Sequence, residues 1–309
     1  MRTMRYLAYA RLLRLPNVFT AFADIGVGIA ATLGDRASEP GNDFVICSVT
    51  LALASAALYL AGMVFNDFFD YEEDKRDRPF RPLPSGAIRL SEARVLGLGL
   101  IFLAIAVLGA CFLAQIALNP AAPVLALILL LAILLYNWRL KRTIFGPVTM
   151  ASCRFLNILF GFTLVKLALI PWLLRLHTAA IVGLYIWGIT WFARTEQHRS
   201  NSNSLTAASS LIALALVLTL LLPFHLPANT ASFCFPYVLV IFGFGIGVPI
   251  RNAIVDPSPA RVQTAVKRCI LGLIVLDAIL ASAFAGSWGF LILLLLPPAL
   301  RLGKWVYST

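Results

Sequence analysis

The feature that most constrains the fold of this chain is the length of its uncharged apolar runs. Residues 44–66, 95–138 and 200–250 contain no Asp, Glu, Lys or Arg. A helix that spans a bilayer needs roughly 20 mostly apolar residues, so the first run holds one span and each of the others holds two. Only 13% of the residues are charged, against about 25% in an ordinary soluble domain. The sequence therefore predicts a polytopic membrane protein.

Turn and charge signals divide the chain into ten apolar segments within a single membrane domain over residues 1–309. The last segment is short, and Gly286-Ser287-Trp288-Gly289 marks a break before it. Nine spans plus a re-entrant half-helix and ten spans fit the pattern equally well, so we expect an all-α bundle of nine to ten spans. The segments cover about 15–34, 44–68, 95–113, 121–137, 143–165, 176–193, 205–222, 232–250, 266–283 and 288–300.

The distribution of basic residues predicts the orientation of the chain. Loops at the ends of alternate segments carry 21 of the 25 Lys and Arg residues, whereas the opposite loops carry only Arg36, Lys166 and Arg175. The positive-inside rule then places both termini and every polar motif at the cytoplasmic face, and we expect a bacterial inner or plasma membrane. The net charge of +11 follows from the same rule, so membrane lipids are expected partners and nucleic acid is not.

Cysteine and histidine usage excludes two further classes of protein. The five cysteines lie singly in apolar runs without a CxxC pair, and the three histidines are far apart in sequence. Neither a disulfide framework nor a zinc site is expected.

An acidic stretch, Asn66-Asp67-Phe68-Phe69-Asp70-Tyr71-Glu72-Glu73-Asp74, ends the second segment. On a continuous helix, Asp67, Asp70 and Asp74 stand at positions i, i+3 and i+7 and fall within an arc of roughly 60°. A hard cation would relieve their repulsion, and Mg²⁺ binds one or two carboxylates together with phosphate oxygens. We therefore expect a Mg²⁺–diphosphate site. The alternative is a solvated acidic loop. That alternative accounts well for the remaining acids, but less well for the spacing of Asp67, Asp70 and Asp74.

A proline-rich stretch, Arg78-Pro79-Phe80-Arg81-Pro82-Leu83-Pro84-Ser85-Gly86, follows directly. Its three prolines fix backbone angles. The stiffened loop carries Arg78 and Arg81, whose guanidinium groups suit phosphate oxygens. An ordinary rigid connector with positive-inside arginines is the alternative interpretation.

These motifs resemble a known family. The NDxxDxxxD pattern of Asn66–Asp74, followed by Arg81–Gly86, resembles the first signature of the UbiA superfamily of intramembrane prenyltransferases, and Tyr136–Lys141 resembles its Tyr-x-x-x-Leu-Lys element. The resemblance implies nine spans around a central cavity that opens to lipid. It also implies a Mg²⁺-dependent transfer of an isoprenyl group from an isoprenyl diphosphate to a small, lipid-soluble and often aromatic acceptor.

The resemblance implies a role for individual residues as well. Asp67, Asp70 and Asp74 would hold the metal; Asn66, Arg81 and Lys141 would serve the diphosphate; Tyr136 and Lys141 would stand at the reacting centre. Arg78 from the proline-rich loop, and Arg194 and Glu196 from a segment that departs from the family pattern, are further candidates for diphosphate binding.

The family's second aspartate motif has no match in this chain. At that position stands Thr190-Trp191-Phe192-Ala193-Arg194-Thr195-Glu196, in which Glu196 is the only carboxylate and Arg194 lies beside it. Either arginines take over diphosphate binding with one metal fewer, or the chain is a non-catalytic carrier or scaffold that binds a prenyl lipid or a pathway precursor. The segment resembles a divergent UbiA-like branch that includes Ebo-cluster proteins.

The fifth segment contains a polar set, Arg154, Asn157 and Gly161, at positions i, i+3 and i+7. An arginine that faces lipid is costly, so Arg154 should face the bundle interior and pair with Asp24 or with the first acidic motif. We predict a catalytic position for Arg154. A purely structural buried ion pair is the alternative.

Overall fold

A computed structural model describes residues 2–34, 43–164, 170–196, 198–228 and 230–307, so Arg36 and Lys166 lie outside the described residues. Every regular element in these ranges is helical, which confirms the all-α prediction. The α-helices are α1 (Arg2–Leu12), α2 (Val18–Leu33), α3 (Phe44–Phe69), α4 (Tyr71–Asp77), α5 (Leu90–Leu113), α6 (Ala121–Trp138), α7 (Gly146–Gly161), α8 (Trp172–Phe192), α9 (Ser202–Leu221), α10 (Phe235–Val255), α11 (Pro259–Ala285) and α12 (Leu296–Tyr307).

Nine runs within the described ranges are long and apolar enough to cross a membrane, in agreement with the predicted nine to ten. Their outer faces carry large apolar side chains such as Phe102 and Phe244, each 71% exposed. Such exposure fits contact with lipid rather than water. The runs are Leu15–Leu33, Phe44–Phe69, Leu90–Leu113, Ala121–Trp138, Gly146–Leu164, Trp172–Thr195, Ser202–His225, Phe235–Val255 and Pro259–Val306.

The ninth run reverses its direction halfway. Gly286 follows α11 with a φ of 59°, a conformation open to glycine, and the chain returns as a ten-residue 3₁₀-helix and then α12. The return is close, because a Cβ on Gly289 would lie 2.2 Å from the backbone of α11. At its end Arg11 Nε donates to Val306 O at 2.9 Å. The predicted tenth segment, 288–300, is therefore the returning arm of a hairpin, and the break lies at the predicted glycines.

The second spanning helix bends within the acidic stretch. α3 ends at Phe69, Asp70 has φ −89° and ψ 2°, and α4 begins at Tyr71. Backbone hydrogen bonds from Asp70 N to Asn66 O (3.2 Å) and from Asp74 N to Asp70 O (2.8 Å) keep the two helices joined. Asp67 and Asp74 thus lie on successive helices with Asp70 between them, and the three aspartates do not share one continuous helix. Aspartate is a poor residue for a helix interior and a good one for a helix start, so the interruption suits its chemistry.

Six helices, α2, α3, α6, α7, α8 and α11, enclose a cavity of about 340 Å³. α5, α9 and α10 pack outside this ring, against α3, α8 and α11. α2 crosses α7 closely, since a Cβ on Gly28 would lie 2.2 Å from Gly161 O. The polar ends of α3, α6 and α8 meet at one mouth of the cavity, and this arrangement positions the candidate site.

Candidate active site

Two of the predicted metal ligands share one arginine. Asp67 Oδ1 lies 3.2 Å from Arg14 Nη2 and 3.5 Å from Arg81 Nη1, and Asp67 is only 5% exposed. Asp74 Oδ2 lies 2.6 Å from the same Arg81 nitrogen. A buried carboxylate without a cation is strongly destabilising. Arg14 and Arg81 therefore offset part of the cost of burying these two acids.

Asp70 faces a second pair of cations. Lys141 Nζ lies 2.7 Å from Asp70 Oδ2, and Arg142 Nη2 lies 3.0 Å from Asp70 Oδ1. Both cations belong to the 3₁₀ turn that follows α6, and Lys141 Nζ also donates to Asn66 O at 3.3 Å. Burial lowers the pKa of Lys141, while Asp70 beside it opposes that change. The turn thus brings the predicted Lys141 to the first acidic motif.

Paired asparagines fix the end of α3 against α6. Asn66 Nδ2 donates to Asn137 Oδ1 at 2.9 Å, and Asn137 Nδ2 donates to Gly62 O at 3.1 Å. Arg14 Nη2 donates to Asn66 Oδ1 at 3.2 Å. Asn66 is therefore held from two sides, by Arg14 and by Asn137.

The cavity leads from this charged mouth into the bundle. Arg14, Tyr136, Asn137 and Glu196 line its polar end, whereas apolar side chains of α6, α8 and α11 line its walls. On α3 the lining runs from Met63 back toward the helix start, away from the acids. A ligand with an anionic head and an apolar tail matches this distribution.

The segment that stands in place of the second aspartate motif brings one carboxylate to the cavity. Glu196 belongs to the lining, but Arg194 does not. Burial raises the pKa of Glu196, and the nearby charges of Arg78, Arg14 and Lys267 oppose that change. Arg194 is exposed, and its Nη2 donates at 2.9 Å to the backbone of the loop before α7. The structure therefore brings Arg78 toward this end of the cavity and leaves Arg194 outside it.

Arg154 lies deeper in the same cavity. Its Nη1 is 2.9 Å from Asp24 Oδ2, and its Nη2 donates to Thr20 Oγ1 at 2.6 Å. Its Cζ lies 5.1 Å from the centre of the Tyr59 ring. The sequence predicted either Asp24 or the first acidic motif as the partner of Arg154, and in the structure the partner is Asp24.

Comparison with known proteins identifies the family. A model of the UbiA prenyltransferase family matches residues 25–266, which is well over half of the 309 residues. The chain belongs to the UbiA prenyltransferase family. The resemblance recognised from Asn66–Asp74, Arg81–Gly86 and Tyr136–Lys141 is thereby confirmed.

Relatives within the UbiA family include a digeranylgeranylglyceryl phosphate synthase from Saccharolobus solfataricus. It is 30% identical over 182 residues, which are 58% of this chain and 58% of the relative. The chain thus matches little more than half of the length of that relative.

Solved UbiA structures share the fold. A structure of digeranylgeranylglyceryl phosphate synthase covers 91% of this chain and 99% of its own, with a TM-score of 0.61 and 21% identity. A UbiA homologue from Archaeoglobus fulgidus bound to GPP and Mg²⁺ covers 86% of this chain and 99% of its own, with a TM-score of 0.59 and 15% identity. At these identities the likeness shows the fold, and it confirms the predicted UbiA-like helical bundle.

The donor chemistry of this UbiA site fits Mg²⁺. Asp67 and Asp70 offer carboxylate oxygens and Asn66 offers an amide oxygen, all hard donors that Mg²⁺ prefers. Within the described ranges no group of three or more His, Cys, Asp or Glu side chains is placed to share one metal, and Arg81 bridges Asp67 and Asp74. Because Mg²⁺ needs only one or two protein carboxylates alongside phosphate oxygens, the residues suit a metal shared with a diphosphate.

Sequence reasoning missed two residues of this UbiA site, Arg14 and Asn137. Arg14 has a φ of 44°, a left-handed conformation that is uncommon outside glycine. The one feature of the sequence that pointed to Arg14 is its position directly before the first apolar segment. Asn137 lies inside the recognised Tyr136–Lys141 element, but its role depends on the pairing with Asn66 across two helices.

Proposed function

We propose that the protein transfers an isoprenyl group from an isoprenyl diphosphate to a lipid-soluble acceptor, in a Mg²⁺-dependent reaction within the membrane. One observation carries this proposal: Asp67 and Asp70 pair with Arg14, Arg81 and Lys141, and Arg14 also lines the polar end of a cavity with apolar walls. The synthase activity named for the curated relative and the GPP and Mg²⁺ bound to the homologue from A. fulgidus support it.

In this proposal the acidic groups at the mouth bind the metal, and the basic groups bind the diphosphate. Asp67 and Asp70 would hold Mg²⁺, which when bound would neutralise negative charge on the leaving diphosphate, while Asp74, which the sequence also predicts as a metal ligand, is paired with Arg81. Arg81 and Lys141 bind diphosphate oxygens. Both cations lie against the carboxylates, so an incoming diphosphate competes with the acids for them.

The reaction consists of one substitution at C1 of the isoprenyl chain. The bond between C1 and the diphosphate oxygen breaks, and its electron pair leaves with the diphosphate. The acceptor's nucleophilic atom supplies the pair for the new bond to C1 and releases a proton. Tyr136 lines the cavity near Asp70, where its ring can stabilise the allylic cation, and the apolar walls keep out water that would capture that cation.

The location of the site follows from the same proposal. The basic loops would face the cytoplasm, so the donor would enter from the cytoplasmic leaflet with its diphosphate at that surface. Arg78 and Glu196 would lie at the same mouth, because the two side chains interact.

A non-catalytic carrier is the second candidate, and one observation favours it. Glu196, with Arg78, Arg14 and Lys267 near it, stands where the family carries its second aspartate motif. A single carboxylate among cations suits binding of a prenyl diphosphate more than a second metal site. A carrier would bind the donor with Mg²⁺ and release no diphosphate.

An assay of diphosphate release separates the two candidates. The name of the relative implies geranylgeranyl diphosphate as the first donor to test and geranylgeranylglyceryl phosphate as the first acceptor, with aromatic acceptors as a second set. Purified protein in lipid nanodiscs should release diphosphate only with Mg²⁺, and Asp67→Asn should lower the rate at least about 100-fold. Tight Mg²⁺-dependent donor binding without release across the whole acceptor panel would reject the transferase and support the carrier.

A further inference from the structure

Polar side chains close the inner end of the cavity, where an isoprenyl tail alone would need an apolar floor. Thr20 and Arg154 belong to the lining, as does Leu273 of α11. Asp24 and Asp277 stand four residues beyond Thr20 and Leu273, on the same helix faces, and both are fully buried at 0% exposure. Two carboxyl groups therefore lie directly beneath the cavity, inside the bundle.

These groups form a connected network around Arg154. Its guanidinium donates to Asp24 Oδ2 at 2.9 Å and to Thr20 Oγ1 at 2.6 Å. Asn157 Nδ2 donates to the same Asp24 oxygen at 2.7 Å, and Ser55 Oγ donates to Asn157 Oδ1 at 2.7 Å. Each of α2, α3 and α7 contributes to the network, so the Arg154 side chain is fixed in position.

Some N–H donors of Arg154 are not used by any described residue. A guanidinium has five N–H donors, and hydrogen bonds to Asp24 and Thr20 use two of them. The other three have no hydrogen-bond partner in the part of the chain that the structure describes. Because Arg154 lines the cavity, an oxygen atom of a bound ligand can accept from these donors.

The charge of the network favours an uncharged ligand. Asp277 lies beside Asp24, and both Asp277 oxygens and Asp24 Oδ1 accept no hydrogen bond from a described donor. Two carboxylates with one guanidinium would leave a negative charge unbalanced in a dry interior. One proton shared by the two carboxyl groups removes that charge and supplies a hydrogen bond between them. The network is then neutral overall, and an anion would bring new uncompensated charge into the membrane.

We propose that Arg154, held by Asp24 and Thr20, forms a subsite that binds an uncharged oxygen function, a hydroxyl or a carbonyl, of the acceptor. This assignment rests on the proposed transferase function. Tyr59, against which Arg154 lies, precedes Asp67 by eight residues on α3, a rise of about 12 Å. The acceptor would thus be anchored below the diphosphate, with the reacting carbon between the two sites.

The test compares three probes that differ only in their oxygen group: 2-naphthol, naphthalene and 2-naphthoate. Equilibrium dialysis of the full-length protein in nanodiscs, corrected for empty nanodiscs, gives each Kd. Wild-type protein should bind 2-naphthol at least about tenfold more tightly than naphthalene, as expected for a hydrogen bond to a charged group. The double variant Arg154→Gln/Asp24→Asn should bind the two equally.

A matched control removes an ion pair of the same length at the surface. Arg261 and Asp256 are 2.9 Å apart, with side chains 51% and 42% exposed, and Arg261→Gln/Asp256→Asn should keep the preference for 2-naphthol. If the cavity double variant fails to fold, Arg154→Lys keeps the charge beside Asp24 but loses the planar donor set, and it should reduce the preference at least about threefold.

Three results would overturn the subsite: equal binding of 2-naphthol and naphthalene by wild type, tighter binding of 2-naphthoate than of 2-naphthol, or an unchanged preference in a folded Arg154 variant. These measurements need no donor. A protein that prefers 2-naphthol but neither binds nor cleaves isoprenyl diphosphates would reject the proposed function and leave the subsite. A protein that binds and cleaves isoprenyl diphosphates but shows no preference for 2-naphthol would reject the subsite and leave the proposed function.

Discussion

Arg81 compensates two buried carboxylates at once, since its Nη1 contacts Asp67 and Asp74. Arg81→Ala removes that charge together with a proposed diphosphate contact. We expect the affinity for geranyl diphosphate with Mg²⁺ to fall about 10- to 100-fold, the usual effect of a charged hydrogen bond, as measured by a binding titration. Arg76→Ala, at an exposed position of α4, is the control and should leave the Kd unchanged. Equal Kd values for both variants would contradict the assignment of Arg81.

Lys141 should make diphosphate binding sensitive to alkaline pH. Burial lowers the pKa of its ammonium group, and Asp70 only opposes this change. As the pH rises through the lowered pKa, the cation is lost, so the affinity for geranyl diphosphate should weaken about tenfold as the pH rises toward the ordinary lysine value of about 10.4. Lys141→Arg stays charged over this range and should give a flat profile. A parallel decline in both proteins would assign the pH dependence to another group.

The sequence identified residues whose signal is local. Asp67 and Asp70 were found from residue type and spacing, and Lys141 from the resemblance of a short element. The contact between Arg14 and Asp67 joins positions 53 residues apart and depends on how α2 packs against α3, which no local pattern encodes. Arg194 was predicted at the diphosphate as a replacement for the missing second aspartate motif, but the 3₁₀ turn that contains Arg194 directs its side chain to the loop before α7.

At the level of single elements, hydrophobic runs predicted where helices lie but not every change in their geometry. The predicted segment 44–68 and α3 agree to within one residue, because apolar length alone defines a span. The bend at Asp70 and the 3₁₀ return after Gly286 were not predicted as such. An apolar run has the same composition in an α-helix and in a 3₁₀-helix, and the choice depends on packing against α11.

The crossing of α2 and α7 should tolerate no side chain at Gly28. A Cβ there would lie 2.2 Å from Gly161 O, so Gly28→Ala must push the two helices apart and should lower the free energy of unfolding by about 2–3 kcal/mol. Gly99→Ala on α5 is the matched control, because no atom beyond the nearby backbone of its own helix lies within 4 Å of an added Cβ, and it should gain up to about 1 kcal/mol from helix propensity. Thermal melts in the same detergent check both. Similar Tm values for the two variants would contradict the close crossing.

At the scale of the whole molecule, contacts gather the polar loops at one end of the bundle. Arg5 pairs with Glu92, Arg194 reaches the loop before α7, and Gln263 Nε2 donates to Glu196 O at 3.2 Å. These contacts join α1, α5, α7, α8 and α11 at the end where the basic residues accumulate. The charge count predicted that these motifs share a face, and the mutual contacts follow from that shared location. Which face points to the cytoplasm stays a prediction.

Cys234 offers a direct measurement of that orientation. It is the one exposed cysteine of the five, all of which are described, and it lies just before α10, at the end opposite the acidic motif. If the basic loops face the cytoplasm, a membrane-impermeant maleimide should label Cys234 in intact bacterial cells that express the protein. Ser85→Cys in a Cys234→Ser background places the thiol in the exposed proline-rich loop, and it should be labelled only after permeabilisation. The opposite pattern would place the diphosphate site on the outer face and exclude a cytoplasmic donor.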